Sequence, residues 1–243
     1  GGDWGADEIV GADWVTSNGG KVVSIPLVDG YSTSVVIDRL RGSESSDSGS
    51  DDNIVERSLR QHSDVLDAIR HELCGQIYEC ADLIAQTFRS GGKLLICGNG
   101  GSAADAQHIA AEFVGRYETE RTALPAIALT TDTSALTALA NDYGFERIFA
   151  RQVESIAQPA DCLLAISTSG TSANVIAAVM AARKLGCRII GFTGAQGKKL
   201  AALSDLCVMI PSERTARIQE GHITIGHIIC ELIDESFADG SRT

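Results

Sequence analysis

After residue 90 the chain alternates short apolar segments with segments of helical periodicity, and this alternation constrains its fold more than any other feature. The five apolar segments lie at residues 93–97, 125–129, 161–166, 188–193 and 205–210. Strands that are apolar along their whole length are buried on both faces, and parallel neighbours need helical crossovers to connect them. The sequence therefore predicts an α/β fold in which helices cover both faces of a five-stranded parallel sheet.

Two helical regions flank this pattern. Residues 54–90 carry apolar side chains at helical spacing, which predicts one broken helix or two successive helices. A long final helix is predicted from about Thr215 to Phe237. Residues 54–243 thus form the predicted main domain.

A polar run divides the chain near its start. Residues 43–53 (SESSDSGSDDN) contain no apolar side chain and predict a flexible acidic linker. The preceding residues 1–42 offer one candidate strand at 21–27 and one short candidate helix that starts near Ser32. We expect so small a segment to be unable to close a core by itself.

Charge and composition exclude several classes of protein. The formal net charge of −12 argues against a general basic surface for nucleic acid. No apolar run approaches the roughly 20 residues of a membrane helix, and no secretory signal pattern is present. The seven cysteines form no CxxC pair, which favours free core thiols in a reducing compartment. We expect a cytoplasmic protein without a membrane or nucleic-acid partner.

The first strand runs directly into the most informative motif. Its loop, Gly98–Ser102 (GNGGS), lets the backbone approach a ligand, and Ser102 is placed to cap the following helix. The spacing fits neither a GxGxxG fingerprint nor a nucleotide P-loop. On that helix His108 and Glu112 are four residues apart, so they share one face. This combination suggests a phosphorylated substrate handled by acid/base or metal chemistry.

Two further loops offer groups that suit a phosphorylated sugar. The third strand ends in the Ser-Thr loop (residues 167–172, STSGTS) just before a helix, where hydroxyl groups and free backbone N–H groups can hold a phosphate without lysine. The alternative is a purely structural role, in which the loop is a polar turn with Ser172 as N-cap. Asn141 and Asp142 between two helices could hold sugar hydroxyls or simply form a turn.

The final helix supplies possible partners for His108 and Glu112. Gln219 and His227 are eight residues apart and share a face to within about 80°, whereas His222 lies about 140° around from His227. Two imidazoles, a carboxylate and an amide oxygen make a plausible metal shell, with zinc as the first candidate.

Taken together, the motifs GNGGSAADAQH-x₃-E, ISTSGTSANV and RIQE-x₆-H resemble the sugar isomerase (SIS) domain family over residues 54–238. They are more closely similar to its phosphoheptose isomerases. The resemblance implies a flavodoxin-like three-layer sandwich and a homotetramer whose sites are shared between subunits. It also implies an aldose–ketose isomerase that converts sedoheptulose 7-phosphate to D-glycero-D-manno-heptose 7-phosphate through an enediol, in nucleotide-activated heptose biosynthesis.

The resemblance assigns roles to individual residues. Twelve residues are expected to contact the phosphosugar: Asn99, Gly100, Gly101, Ser102, Glu112, Asn141, Asp142, Ser167, Thr168, Ser169, Ser172 and Gln219. The resemblance makes zinc ligands of His108, Glu112, Gln219 and His227. Glu112 and His227 correspond to the acid/base pair. A carboxylate bound tightly to zinc is a weakened base, so Glu112 would serve the metal and the proton in different states.

Residues 1–42 have a resemblance of their own, to the C-terminal end of heptose-phosphate nucleotidyltransferases. It rests on Gly19–Val23 (GGKVV) and Gly30–Ile37 (GYSTSVVI). The HxGH motif of those enzymes is absent, so we expect no transferase activity from this partial segment. The enzymes that this segment resembles act in nucleotide-heptose synthesis, which agrees with the resemblance of residues 54–238 to phosphoheptose isomerases.

Two alternative functions remain open. One is a non-catalytic SIS adaptor like the replication-initiator-associating proteins of bacteria, which would have no need for the set His108, Glu112, Gln219 and His227. The other is an isomerase of a different phosphosugar, such as an arabinose or hexulose phosphate.

Overall fold

The protein is described here by a computed structural model that covers residues 11–22 and 53–238. The chain separates into two units, residues 1–52 and residues 53–243. In the first unit, helix α1 spans Ala12–Ser17. The candidate helix at Ser32, most of the candidate strand at 21–27 and nearly all of the linker lie outside the described residues.

The second unit begins with two successive helices, α2 (Ile54–Glu72) and α3 (Cys74–Arg89). Residues 54–90 therefore form two successive helices and not one broken helix. The Asn53 side chain accepts a hydrogen bond from the Val55 N–H at 3.0 Å and caps α2. Asn53 thus belongs to the helix start rather than to the linker.

All five predicted strands are present and pair in parallel. They are β1 (Leu94–Cys97), β2 (Ala126–Ala128), β3 (Cys162–Ile166), β4 (Arg188–Gly194) and β5 (Leu206–Ile210). The strand order is β2-β1-β3-β4-β5. The order reverses between β1 and β3, and sheets of this kind bind ligands at the carboxyl ends of the strands beside such a point.

Helices connect the strands and cover both faces. In chain order they are α4 (Gly101–Val114), α5 (Thr133–Tyr143), a 3₁₀ turn (Phe145–Arg147), α6 (Ile148–Ile156), α7 (Ala173–Lys184), α8 (Lys198–Leu203) and α9 (Thr215–Phe237). The final helix has the predicted bounds.

Each face of the sheet has its own core, because successive strand side chains point to opposite faces. Ile96 of β1 joins the core beneath α3, α4 and α9, which includes Ile84 and Ile229. Leu95, the preceding residue, joins the opposite core with Val179 of α7. The prediction of a sheet buried on both faces is confirmed.

The cysteines and helices agree with the compositional expectations. All seven cysteines are free thiols, and five of them are buried. Burial raises the pKa of Cys97 to about 12, so this thiol is unreactive. Cys74 is exposed and Cys207 is half-buried, so these two differ from the expectation of core thiols. None of the helices in residues 11–22 and 53–238 is long and apolar enough to cross a membrane.

Candidate functional site

Two asparagines join the loops that follow β1 and β3, at the point where the strand order reverses. The Asn99 amide donates to Asn174 Oδ1 at 2.8 Å, and the Asn174 amide donates back to Asn99 Oδ1 at 2.8 Å. Asn174 is buried in the first turn of α7. The side chain of Asn99, predicted to contact the sugar, therefore also ties the two loops together.

The Ser-Thr loop folds onto itself and brings its serine hydroxyl groups together. Ser167 Oγ lies 2.9 Å from Ser172 Oγ and 3.5 Å from Ser169 Oγ. Ser172 occupies the N-cap position of α7, but its side chain makes no capping hydrogen bond. The turn requires Gly170, whose φ of 64° is left-handed and whose added Cβ would lie 2.4 Å from the Gly197 Cα. Hydroxyl groups thus converge at the start of α7, as a phosphate site requires.

A cavity of about 230 Å³ lies next to this loop. Its walls come from the carboxyl ends of β3, β4 and β5, and they are formed by Thr168, Ser169, Ala195, Gln196, Ser212, Glu213, Thr215 and Ile218. A second cavity of about 160 Å³ lies beside the loop after β1, between Asn99 and the aromatic residues Phe145 and Phe149. Both cavities lie at the carboxyl edge of the sheet, where the sequence places its motifs.

The start of α4 differs in one detail from its prediction. The helix begins at Gly101, with Gly100 in the N-cap position, so Ser102 lies buried within the first turn and does not cap the helix. A Cβ added to Gly101 would lie 2.4 Å from Gln219 Nε2. The amide of Gln219 therefore packs directly against the start of α4, which brings the second turn of α9 to the loop after β1.

Further along the same two helices, three predicted residues form a polar cluster, which we call the His–Glu–His face (His108, Glu112, His227). His108 Nε2 lies 3.3 Å from His227 Nε2 and 3.2 Å from Glu112 Oε1. At this separation one imidazole nitrogen must present a lone pair, because two N–H groups facing each other would repel. The face can therefore hold a proton or a cation between its rings.

The donor atoms of the face partly match a zinc shell. Two atoms bound tetrahedrally to zinc at about 2.0–2.1 Å lie about 3.3 Å from each other, close to both of these contacts. Gln219, by contrast, lies at Gly101, seven residues or about 10 Å along α4 from His108. Across the described parts of the chain, no group of three or more His, Cys, Asp and Glu residues is arranged to hold a metal ion. The residues present supply two imidazole ligands but not an assembled four-ligand site.

Asn141, Asp142 and His222 have surroundings of their own. Asn141 and Asp142 are exposed at the end of α5, where the Asn141 amide donates to Asp142 Oδ1 at 2.8 Å. His222, expected to point away from His227, is buried against Phe192, and its Nε2 lies 3.2 Å from the Thr193 carbonyl oxygen. Burial lowers the pKa of His222 to about 4, so it is a neutral core residue.

Sequence reasoning missed two residues beside the face. Asp105, one turn before His108, has a buried Oδ2 with no hydrogen-bond partner among the described residues. Burial raises its pKa to about 6, against the opposing influence of His108. Tyr117 lies beyond the end of α4, and its ring stacks on His227 with centroids 5.4 Å apart. Asp105 sits at helical spacing from His108, a signal that could have found it, whereas the contact of Tyr117 depends on tertiary packing.

Comparison with known proteins gives a consistent result. The SIS domain family model matches residues 59–194. A phosphoheptose isomerase of Roseiflexus sp. is 61% identical over 160 residues, which cover 66% of this chain and 81% of the relative. One from Nitratiruptor sp. is 53% identical over 183 residues, 75% of this chain and 98% of the relative. The solved phosphoheptose isomerase of Neisseria gonorrhoeae superposes with a TM-score of 0.71 and 45% identity, over 74% of this chain and 97% of that structure.

Proposed function

The chain belongs to the SIS domain family and is similar to its phosphoheptose isomerases, and from this premise we propose that it converts sedoheptulose 7-phosphate to D-glycero-D-manno-heptose 7-phosphate. This is an aldose–ketose isomerisation in heptose biosynthesis. The observation that carries the proposal is the His–Glu–His face, because it unites a carboxylate and two imidazoles from α4 and α9. A protein that only binds other proteins has no physical need for such a cluster, so the adaptor alternative is disfavoured.

The chemistry requires two proton movements, which the residues of the face can perform. A base removes a proton from C1 of the ketose while the C2 oxygen gains one, which gives an enediol. The base, whose proton exchanges with solvent, then delivers a proton to C2 as the C1 oxygen loses its own, which gives the aldose. We assign the carbon-bound proton to Glu112 and the oxygen-bound protons to His227. The hydroxyl groups of Ser102, Ser167, Thr168, Ser169 and Ser172 are assigned to the phosphate and nearby sugar oxygens.

The decisive experiment measures the proton transfer by deuterium incorporation. Purified protein supplied with zinc is incubated with sedoheptulose 7-phosphate in D₂O, and the product is examined by NMR. The enediol mechanism predicts one solvent deuterium at C2 of the aldose product. Arabinose 5-phosphate and fructose 6-phosphate in parallel reactions test the alternative sugars. Turnover of either of them without turnover of the heptose would reassign the substrate, and no turnover of any would reject the isomerase.

We further propose a zinc ion at the face, with His108, Glu112, Gln219 and His227 as ligands. The support is that His108 Nε2 lies 3.3 Å from His227 Nε2 and 3.2 Å from Glu112 Oε1, and Gln219 would have to move from its position against Gly101. When bound, zinc would polarise the sugar carbonyl. Zinc per subunit should fall to background in a His108→Ala/His227→Ala variant, as measured by elemental mass spectrometry. The control is His71→Ala, which removes an exposed histidine elsewhere. Equal zinc in all three proteins would reject this ligand set.

We also propose a homotetramer with shared active sites, working in the cytoplasm. Ile54, Val55 and Leu59 of α2 are largely exposed in the single chain and offer an apolar surface for a second copy. The free thiols suit a reducing compartment.

Mixed tetramers of Glu112→Gln with a Ser169→Ala/Ser172→Ala variant should regain activity at low substrate if each site draws on two subunits. No regain in verified mixed tetramers would contradict sharing.

For residues 1–42 we propose a partial nucleotidyltransferase-like segment without activity, followed by the linker. Both sheet cores lie within the second unit, so its isomerase activity should not depend on the first. Deletion of residues 1–52 should leave kcat and the oligomeric state unchanged in the coupled assay and in sedimentation. Loss of the folded oligomer would show that the first unit is required.

A further inference from the structure

The loop after α4 is anchored to α9 by one buried carboxylate. Asp234 Oδ2 accepts the backbone N–H groups of Tyr117, Glu118 and Thr119, at 3.2, 2.8 and 2.9 Å. Asp234 Oδ1 accepts Arg121 Nε at 2.7 Å. Burial alone would raise the pKa of Asp234, but the N–H donors and Arg121 outweigh it, and the pKa is lowered. This carboxylate is therefore ionised and fixes the course of the loop.

Arg121 extends the same anchor to the end of α4. Its side chain is fully buried, at 0% exposure. Nη2 donates to the Glu112 carbonyl oxygen at 2.9 Å, and Nη1 donates to the Phe113 carbonyl oxygen at 3.0 Å. A guanidinium at this position satisfies carbonyl groups that the helix end leaves open, and it complements the negative end of the helix dipole. The backbone of Glu112 is thus held by the Arg121–Asp234 pair.

The anchored loop places the Tyr117 ring on His227. The two rings are stacked at 28°, with centroids 5.4 Å apart. His108 meets the same imidazole edge-on, at 71° with centroids 4.9 Å apart. The His227 ring thus contacts two other rings, which restricts its rotation and favours the orientation in which Nε2 faces His108. For a residue that moves protons, the direction of this nitrogen decides which atom it can reach.

We propose that Tyr117 is a positioning residue that orients His227 by stacking, and that the buried Arg121–Asp234 pair holds Tyr117 in place. The proposal rests on the isomerase function for its kinetic consequence. Tyr117 acts through the face of its ring and not through its hydroxyl group. Removal of the ring should therefore disturb the proton transfer at His227, whereas removal of the hydroxyl group alone should not.

Two variants of Tyr117 test this, with a third protein as matched control. Tyr117→Leu should lower kcat at least tenfold with KM within twofold, because the substrate still binds but His227 is no longer oriented. Tyr117→Phe keeps the stack and should retain at least half of the wild-type kcat. The control is Phe237→Leu, which removes another half-buried aromatic from α9, 6.2 Å from Phe88. It should lose comparable thermal stability and keep its kcat.

Three outcomes would overturn the proposal. Wild-type kcat in Tyr117→Leu would show that the stack has no kinetic role. A fall in Tyr117→Phe as large as in Tyr117→Leu would assign the effect to the hydroxyl group. An equal loss of kcat in Phe237→Leu would reduce the effect to general destabilisation.

An NMR measurement separates this proposal from the proposed function. The chain has five histidines, so ¹³C-labelled imidazole signals can be assigned by single substitutions. The His227 signal should shift in Tyr117→Leu, where the ring current is lost, and stay near its wild-type position in Tyr117→Phe. This readout needs no substrate. Unchanged His227 signals in both variants would reject the positioning role even in an active enzyme, and the expected shifts would support it even if no heptose is turned over.

Discussion

The Ser-Thr loop and the His–Glu–His face serve one proposed site but are built in opposite ways. The loop forms its hydroxyl contacts within six consecutive residues, where Ser167 and Ser172 meet at 2.9 Å. The face joins His108 and His227, which are 119 residues apart in the chain. The loop depends on one strand–turn–helix unit, whereas the face depends on the packing of α4 against α9. Binding and chemistry should therefore fail separately when each region is damaged.

The largest expected effect comes from the carboxylate of the face. Glu112→Gln should reduce kcat about a thousandfold, because loss of a general base removes a contribution of roughly 10²–10⁴. KM should change little, since the Ser-Thr loop is intact. A coupled assay with sedoheptulose 7-phosphate measures both constants, with the exposed Glu235→Gln on α9 as control. A kcat near the wild-type value would remove Glu112 from its role as base.

The next effect contrasts two buried ion pairs, of which only one contacts the helix that carries Glu112. Asp234→Asn breaks the Arg121 pair beside the face, where the Asp234 side chain is 2% exposed. Asp161→Asn breaks the pair with Lys93, 2.6 Å long, at the amino-terminal edge of the sheet. Each change should lower the free energy of unfolding by about 2–4 kcal/mol, since one charge loses its buried partner.

Activity should distinguish these two variants. Asp234→Asn should also lose kcat, because it loosens the loop that carries Tyr117 and the helix end at Glu112. Asp161→Asn should keep its kcat at temperatures where it remains folded. Chemical denaturation and the coupled assay on the same samples make the comparison. Equal kcat in both variants would show that the Asp234 pair only stabilises the fold.

A third effect concerns the support behind the Ser-Thr loop. His222 of α9 lies at the end of β4, whose Gly194 N–H donates to the Thr168 carbonyl oxygen at 3.0 Å. Burial lowers the pKa of His222 to about 4. Between pH 4 and pH 6.5 the imidazole is therefore protonated to a greater extent in the unfolded chain than in the folded protein. Stability should therefore rise with pH across this window, and His222 should account for about 3 kcal/mol of that change.

Denaturation curves at several pH values, on the wild type and on His222→Gln, measure this contribution. The variant lacks the titrating ring, so its stability should depend less on pH between 4 and 6.5. Other groups, including Asp105, contribute equally to both proteins and cancel in the difference. Parallel pH profiles for the two proteins would contradict the assignment.

The smallest expected effect comes from one hydroxyl group of the Ser-Thr loop. Ser172→Ala should raise KM about tenfold and leave kcat within twofold, because one hydrogen bond to a charged phosphate is lost. Thr171→Val is the matched control, since Thr171 is exposed and bonds to Ser169 within the loop. A change in kcat without a change in KM would place Ser172 at the reaction centre and weaken the division between binding and chemistry.

Much of the fold followed from local patterns. The five strands and the final helix lie where apolar runs and helical spacing predicted them, because burial on both faces of a sheet selects such runs. Details of the loops were harder to predict from the sequence. Ser102 was expected as a cap but lies inside the helix, since Gly100 takes the N-cap position. The pairing of the Asn99 amide with that of Asn174 was not predicted, because it joins residues 75 apart in the chain.

The sheet, the position of the Ser-Thr loop and the shared helix face of His108 and Glu112 could be predicted from the sequence, because each depends on adjacent residues or on a short repeat. The contact of His108 with His227, the packing of Gln219 against Gly101, and the bonds of Asp234 to Arg121 and to the loop of Tyr117 could not. These contacts join segments about 110–120 residues apart. Their geometry is set by how α4 and α9 pack on the same face of the sheet, which no local pattern specifies.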